Sequence, residues 1–167
     1  MFDFNSFWHA HTPILSILIP AFTSFLLVLL GNPGSGSLKQ DWRQPWRRGI
    51  SLGSALLGLI TAISYLMIAN TGQITVYQLG EWSAPFGIVL VLDRLSAFML
   101  VLTYALAVPV IWYASDNWDT RGRYFHTMFH FLLMGLTGAF LTGDLFNLFV
   151  FFEILLMASY VLLLHGQ

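Results

Sequence analysis

One acidic side chain, Glu153, lies in the middle of a long apolar stretch and is the residue best placed to do chemistry. The stretch 145–164 is long enough to cross the ~30 Å hydrocarbon core of a bilayer as a helix. A charged side chain at the centre of such a helix costs about 2.5–3.5 kcal/mol on insertion scales. An acid at this depth is therefore by default a functional residue, and its expected chemistry is proton carriage. The alternative is a protonated acid that only packs between helices.

Two histidines in the preceding apolar stretch form the second titratable group. His126 and His130 are four residues apart, so they share one face of a helix. His130 lies about 9 Å into that span when the distance is counted from Tyr124 at ~1.5 Å per residue. If the last two spans pack antiparallel, His130 lies nearer than Glu153 to the cytoplasmic surface. A proton could then pass from Glu153 through water and His130 towards that surface. The alternative is a hydrogen-bonded packing histidine, and two histidines without a third ligand do not make a metal site.

Asp144 and Tyr160 lie near the two ends of the span that contains Glu153. Asp144 precedes the first helical turn, so it is predicted to be an N-cap that accepts hydrogen bonds from free backbone amides. A direct role in the ion path is the alternative for Asp144. Tyr160 lies on the Glu153 face two turns further on and leans towards the acid, so it joins His130 as a candidate for the proton path.

The composition excludes most other classes of protein. The chain has 167 residues, of which 57% are hydrophobic and 9% charged, whereas soluble domains have about a quarter charged residues. The net charge of −1 says nothing about nucleic acid, but the sequence has no basic patch of the kind that a nucleic-acid partner needs. The sequence has no cysteine, so it can form no disulfide, iron–sulfur cluster or thiolate metal site. We therefore expect a membrane protein without cofactor or metal.

Apolar segments separated by polar loops predict an all-α membrane protein with about five transmembrane helices in one domain, residues 1–167. The predicted spans are 14–30, 49–69, 95–114, 124–141 and 145–164. Pro20 is expected to kink or locally unwind the first span. Between the second and third spans, 73–80 and 81–92 alternate like two short strands around a Gly/Pro turn. An open hairpin cannot cross a bilayer, so this connection should lie at a surface.

Small residues in two of the spans predict close helix contacts. In the second span, Gly49 with Gly53, or Gly53 with Leu57 and Gly58, forms a loose small-residue face. The alternative, plain packing without a special partner, is the favoured interpretation of this face. In the fourth span, Gly135 and Gly138 are expected to allow close packing.

The basic residues predict the orientation in the membrane. Six of the seven Lys and Arg residues lie in the first and third connections between spans: Lys39, Arg43, Arg47, Arg48, Arg121 and Arg123. Cytoplasmic loops carry the excess of such residues. The N-terminus is therefore predicted to lie outside, and the end of the fifth span in the cytoplasm.

A motif around Glu153 resembles a known family. The stretch TGDLFNLFVFFE, residues 142–153, and the sequence Ala158-Ser159-Tyr160 resemble the fifth-helix motif of the antiporter-like subunits related to complex I. The resemblance is closest to the D-type subunit of the Mrp-type multisubunit monovalent cation/proton antiporters, which residues 80–97 and the positions of the first two spans also resemble. Complex I relatives tend to have tryptophan directly before the glutamate, where this chain has Phe152.

The resemblance implies a role for Glu153. In the family, the matching glutamate pairs with a lysine on a later helix, and the pair shuttles protons. No lysine lies in any predicted span of this chain, so the partner of Glu153 should lie outside these residues. The resemblance thus implies the N-terminal portion of a larger subunit, which we expect not to transport alone.

The resemblance also implies the setting. We expect a multi-pass protein of the bacterial inner membrane within a hetero-oligomeric complex that exchanges Na⁺ or K⁺ for protons. Such a chain is a secondary transporter subunit and not an enzyme. One alternative is a proton-pumping subunit of a complex I-type NADH–quinone oxidoreductase or membrane-bound hydrogenase. A second alternative is a non-transporting assembly fragment.

Overall fold

The structure, a computed structural model, describes residues 4–31, 43–81, 87–122 and 124–166, with only the backbone for 4–10 and 81. The elements in chain order are α1 (Phe4–Leu29), α2 (Gln44–Asn70), β1 (Thr75–Gln78), a short 3₁₀ turn (Leu79–Glu81), β2 (Val89–Leu92), α3 (Arg94–Ala114), α4 (Phe125–Leu141) and α5 (Leu145–Leu163). Helices with one small antiparallel hairpin are the predicted fold class, which is confirmed.

Four of the helices are long and apolar enough to cross a membrane: His11–Leu29 within α1, and the whole of α2, α3 and α5. Helix α4 is also apolar, but with 17 residues it is shorter than these four helices. The chain is therefore a multi-pass membrane protein. Helix α1 begins at Phe4, ahead of the predicted start at residue 14, so Pro13 lies inside the helix and not before it. The assignment of 1–167 to one domain remains a prediction.

Helix α1 continues without interruption through Pro20, because another helix replaces the hydrogen bond that proline removes. Proline has no backbone N–H, so the carbonyl of Ser16, four residues earlier, loses its helical donor. The buried Tyr104 hydroxyl of α3 donates to this carbonyl at 3.2 Å. The Tyr104 ring also lies against Gly58 of α2, where a Cβ would be 2.2 Å from Tyr104 Cε1. Three helices thus meet at Tyr104.

Close approach between helices occurs at some of the expected glycines and not at others. Gly49 and Gly53 do not form a close contact within the described residues, because a Cβ at either position would meet no described atom within 4 Å. Gly58, one turn further on, is the α2 glycine in contact. Gly135 and Gly138 of α4 do lie against α5, as expected. Sequence spacing finds small residues but does not tell which side of the helix faces a neighbour.

The hairpin fixes the end of the bundle where α2 ends, α3 begins and α4 turns into α5. Strands β1 and β2 pair antiparallel, from Thr75 opposite Leu92 to Gln78 opposite Val89. On its other side, β2 bonds to the α4–α5 turn: Gly143 N donates to Val89 O at 2.8 Å. The predicted second strand stretch, 81–92, is shorter in the structure, and its residues 82–86 lie outside the described residues.

Polar side chains start the helix that follows the hairpin. Asp93 Oδ1 accepts from Ser96 N at 2.7 Å, and the Ser96 hydroxyl accepts in turn from Asp93 N at 2.9 Å. This reciprocal pair is a capping box, which satisfies the first free amides of α3. Hydrogen bonds from Ser96 lower the pKa of the Asp93 carboxyl. The Arg94 side chain donates to the carbonyls of Ala69 and Asn70. Asp93 is therefore a helix cap and not the ion-pair partner of Arg94.

Candidate functional site

Glu153 lies near the middle of α5, and the start of that helix is set by Asp144. The Asp144 carboxylate accepts from Phe146 N at 2.8 Å, and Asp144 has the extended backbone of an N-cap residue. Glu153 follows nine residues later, about 13 Å along the axis at ~1.5 Å per residue. The cap therefore defines where the acid lies along the helix.

Helix α5 is held by one narrow face. Its buried residues are Asn147, Phe151 and Ala158, and most of its remaining large side chains are exposed. A Cβ at Gly138 would lie 2.2 Å from the Phe151 ring, and one at Gly135 would lie 2.9 Å from Leu155 N. Because later residues of α4 meet earlier residues of α5, the two helices are antiparallel.

The Glu153 side chain lies on the outer face of α5 and is exposed. The described residues make neither a hydrogen bond nor an ion pair with its carboxylate. Its neighbours on this face are exposed as well: Phe149, Val150, Leu156, Met157 and Tyr160. We call this set, with Glu153, the outer face of α5. Nothing in the described part of the chain covers it.

The structure does not bring the other proton-path candidates to Glu153. His130 is fully buried, and its Nε2 lies 3.0 Å from Ser51 Oγ on α2. Its ring therefore contacts α2 and not the exposed face of α5 that carries Glu153. Along the helix axis, His130 is nearer than Glu153 to the end where α4 begins, as the antiparallel packing requires. Tyr160 is on the outer face of α5, two turns from Glu153, without a hydrogen bond to it.

A second polar cluster, which we call the inner polar chain, lies where α2 and α4 begin. Arg48 Nε and Nη2 donate to the two oxygens of Asp119 at 2.8 and 2.7 Å. His126 Nε2 lies 3.1 Å from Asp119 Oδ2, and its Nδ1 lies 3.0 Å from Ser51 Oγ. The same hydroxyl meets His130 Nε2. Five side chains thus form one continuous row of hydrogen bonds.

Only part of this cluster is visible in the sequence. The i,i+4 spacing singled out His126 and His130, but no motif pointed to Asp119 or Ser51. Ser51 lies 75 and 79 residues from the histidines, and Arg48 lies 71 residues from Asp119. Local periodicity carries no signal across such separations.

Asp119 is held as a carboxylate. Burial alone would raise the pKa of this acid, but hydrogen bonds from His126 and Arg48 outweigh burial and lower its pKa to about 2. The group is outside the helices, in the α3–α4 connection, and its side chain is completely covered. Despite these ligand types, the described ranges contain no group of three His, Asp or Glu residues that could hold a metal ion.

Relatives of known name match nearly the whole chain. It is 48% identical over 165 residues to the probable K(+)/H(+) antiporter D-type subunit of Rhizobium meliloti, a match that covers 96% of the chain. It is 41% and 36% identical over 156 residues to the Na(+)/H(+) antiporter D-type subunits of Alkalihalophilus pseudofirmus and of Bacillus subtilis, each covering 92%. The chain spans 29% of the length of these relatives. No protein-family model matches it.

Solved structures share the fold. The Mrp complex from Dietzia sp. contains a chain that matches with a TM-score of 0.79 and 28% identity, over 91% of this chain and 26% of that one. An archaeal membrane-bound sulfane sulfur reductase matches with a TM-score of 0.72 at 24% identity, over 89% and 29%. At that identity the second match shows the fold alone.

The helical arrangement is that of an antiporter-like membrane subunit. Within this class, the chain belongs to the D-type subunits of the multisubunit monovalent cation/proton antiporters, of which it spans the N-terminal part. The expected resemblance to this family is thus confirmed for the region that the chain spans.

Proposed function

We propose that the chain is part of a subunit of a multisubunit Na⁺/H⁺ or K⁺/H⁺ antiporter, and that Glu153 takes up and releases a proton during transport. The observation that carries this proposal is a single carboxylate at the middle of an apolar helix, in a chain similar over 92–96% of its length to antiporter subunits of the D type. A carboxylate at such depth is expensive in lipid, so the outer face of α5 needs a polar or protein neighbour.

The outer face of α5 is, in this proposal, where a later segment of the full-length subunit packs. The chain spans only 29% of the length of its relatives, and the described residues leave this face uncovered. A segment that brings a cation to Glu153 would favour the ionised acid, and its removal would favour the protonated acid. Such a switch couples cation movement to proton binding.

The remaining site residues have supporting roles in the proposal. Tyr160 and water would extend the path from Glu153 along the outer face, and His130 would receive protons nearer the inner surface. Asp144 acts through the start of α5 and touches no transported ion. The whole protein is a secondary transporter subunit and not an enzyme, and it works with other subunits in a lipid bilayer.

The orientation follows from the basic residues. The Arg48–Asp119 pair joins the start of α2 to the α3–α4 connection, so Arg43, Arg47, Arg48 and Arg121 lie at one end of the bundle. By the positive-inside rule this end faces the cytoplasm of a bacterial inner membrane, and the N-terminus lies outside. Lys39 and Arg123, which the rule also counts, lie outside the described residues.

A redox-driven complex is the competing function. The sulfane sulfur reductase match supports only a shared fold, whereas three relatives at 36–48% identity have antiporter names. A non-transporting assembly role has no specific observation in its favour.

The test uses the full-length subunit in its complex, reconstituted or in inverted vesicles. Addition of Na⁺ or K⁺ to vesicles with a proton gradient should collapse that gradient, and Glu153→Gln should reduce the rate ~100-fold, as expected for a lost proton carrier. Asp144→Asn is the matched control, because it should lower abundance more than the rate per assembled complex. Unchanged exchange by Glu153→Gln contradicts the proposal. Proton pumping that requires a reductant supports the redox alternative.

A further inference from the structure

The inner polar chain has only one consistent arrangement of hydrogens when His126 is neutral. The Asp119 carboxylate can only accept, and two Arg48 N–H groups already bond it. His126 Nε2 therefore carries a hydrogen and donates to Asp119. His126 Nδ1 is then a lone pair, and the Ser51 hydroxyl must donate to it.

The hydrogen positions of His130 follow from those of His126 and Ser51. The Ser51 hydrogen is used on His126, so the Ser51 oxygen accepts from His130 Nε2–H. His130 Nδ1 is consequently an unprotonated lone pair. This atom is buried and has no hydrogen-bond partner among the described residues. The row thus ends, on its membrane side, in a proton acceptor whose lone pair is unused.

We propose that the inner polar chain is a proton wire that carries a proton from the membrane interior, at His130, to His126 beside Asp119 of the α3–α4 connection. A proton that binds His130 Nδ1 allows His130 Nε2–H to pass to Ser51 Oγ. Ser51 gives its original hydrogen to His126 Nδ1. One proton enters, two N–H or O–H bonds break and three form, and the positive charge moves from His130 to His126.

Both end states keep every hydrogen bond of the row. Before transfer, the donors point from His130 through Ser51 to His126. Afterwards, His126 Nδ1–H donates to Ser51, and Ser51 donates to His130 Nε2. The imidazolium then lies 3.1 Å from the Asp119 carboxylate, so an opposite charge stabilises it. The two histidines are one turn apart on α4, so the charge moves about 6 Å towards the surface.

Few other charges act on this row. Asp119 comes from the α3–α4 connection, Arg48 from α2, and Asp116 acts electrostatically on Arg48. Arg47 is also buried on α2. On the described side chains of α1, residues 11–29, the titratable residue is His11, which bonds Tyr77 of the hairpin at the opposite end.

The inference rests on the proposed function, since a proton wire is of use to a protein that moves protons. Ser51→Ala is the decisive variant in the full-length complex, because it removes the bridging hydroxyl and leaves the Arg48–Asp119 pair. We expect a loss of cation-driven proton flux of ~10-fold or more, with substantial recovery in Ser51→Thr. Ser54→Ala, one turn along α2 and bonded to Thr23, is the control and should exchange at the unsubstituted rate.

Comparison with Glu153→Gln separates the two proposals. Loss of flux in Glu153→Gln with full flux in Ser51→Ala overturns the wire and leaves the antiporter role intact. Full flux in both variants overturns the antiporter role and, with it, the transport use of the wire.

A spectroscopic measurement decides the matter if Ser51→Ala does not assemble. Solid-state NMR of the unsubstituted complex with ¹⁵N-labelled histidine, assigned with His126→Gln and His130→Gln, reports which ring nitrogens carry hydrogen. We expect Nε2–H on both rings at neutral pH. When the row holds one added proton, His126 should be the imidazolium and His130 should have the Nδ1–H form. An Nδ1–H form of His130 without that proton, or a protonated row in which His130 holds the charge, overturns the wire.

Discussion

The contact between Gly138 and the Phe151 ring sets how tightly α5 is held, so Gly138→Ala should loosen it. A Cβ at Gly138 would lie 2.2 Å from Phe151 Cδ1 and Cε1 and 2.5 Å from Cγ, whereas ordinary contacts begin at 3.4 Å. The clash involves the base of the ring as well as its edge. The ring must therefore move by about 1.2 Å, or α5 must move away from α4.

The expected cost follows from comparison with a matched glycine. Overpacking of this kind costs about 1–3 kcal/mol, but alanine also gains up to about 1 kcal/mol of helix propensity over glycine. Gly53→Ala on α2 provides the same gain without a clash, because that position is open. The difference in unfolding free energy between the two variants should therefore be the steric cost alone, about 1–3 kcal/mol.

The assay is thermal or denaturant unfolding of the full-length complex in detergent. Phe151→Leu should recover part of the loss when combined with Gly138→Ala, because a smaller side chain gives space to the new methyl group. Proton flux should also fall in Gly138→Ala, because Glu153 follows Phe151 by two residues. Equal stabilities of Gly138→Ala and Gly53→Ala would refute the packing argument.

Three further outcomes are expected. Tyr104→Phe should lower the free energy of unfolding by about 1 kcal/mol, because the hydrogen bond to the Ser16 carbonyl is lost. The loss should be smaller in a Pro20→Ala background, where the backbone N–H of residue 20 can bond that carbonyl, and a double-mutant cycle of unfolding measures the difference. The pKa of Asp119 is lowered in the folded protein, so its stabilising effect is complete above pH ~4 and is lost as the pH falls towards ~2; Asp119→Asn should flatten the pH dependence of the melting temperature in that window. Asp144→Ala should destabilise α5 by about 0.5–2 kcal/mol, visible as lower abundance of assembled complex with little change in flux per complex.

Much of the helical framework could be predicted from the sequence, because membrane spans have a strong apolar signal. The starts of α3 and α5 were also predictable, since Asp93 and Asp144 have local partners within three residues. The start of α1 was not, because Pro13 is tolerated inside the helix. A proline marks a lost hydrogen bond but does not tell whether the helix continues.

The site was less predictable than the fold, for two different reasons. The depth of Glu153 follows from its position in an apolar run, but its partner does not, because the described residues contain none. The histidine pair was visible in the sequence, whereas its partners Ser51 and Asp119 come from distant segments. Only tertiary packing brings those polar groups together.

The turn between α4 and α5 sets the direction in which the Glu153 carboxylate points, as well as its position along the helix axis. Gly143 is tied to Val89 of the hairpin, and Asp144 caps the helix that follows. Each residue added to this turn would rotate α5 by about 100°, which would swing the acid away from whatever neighbour it faces. The length of this turn is therefore under stricter constraint than its composition, because the length decides in which direction the Glu153 carboxylate points.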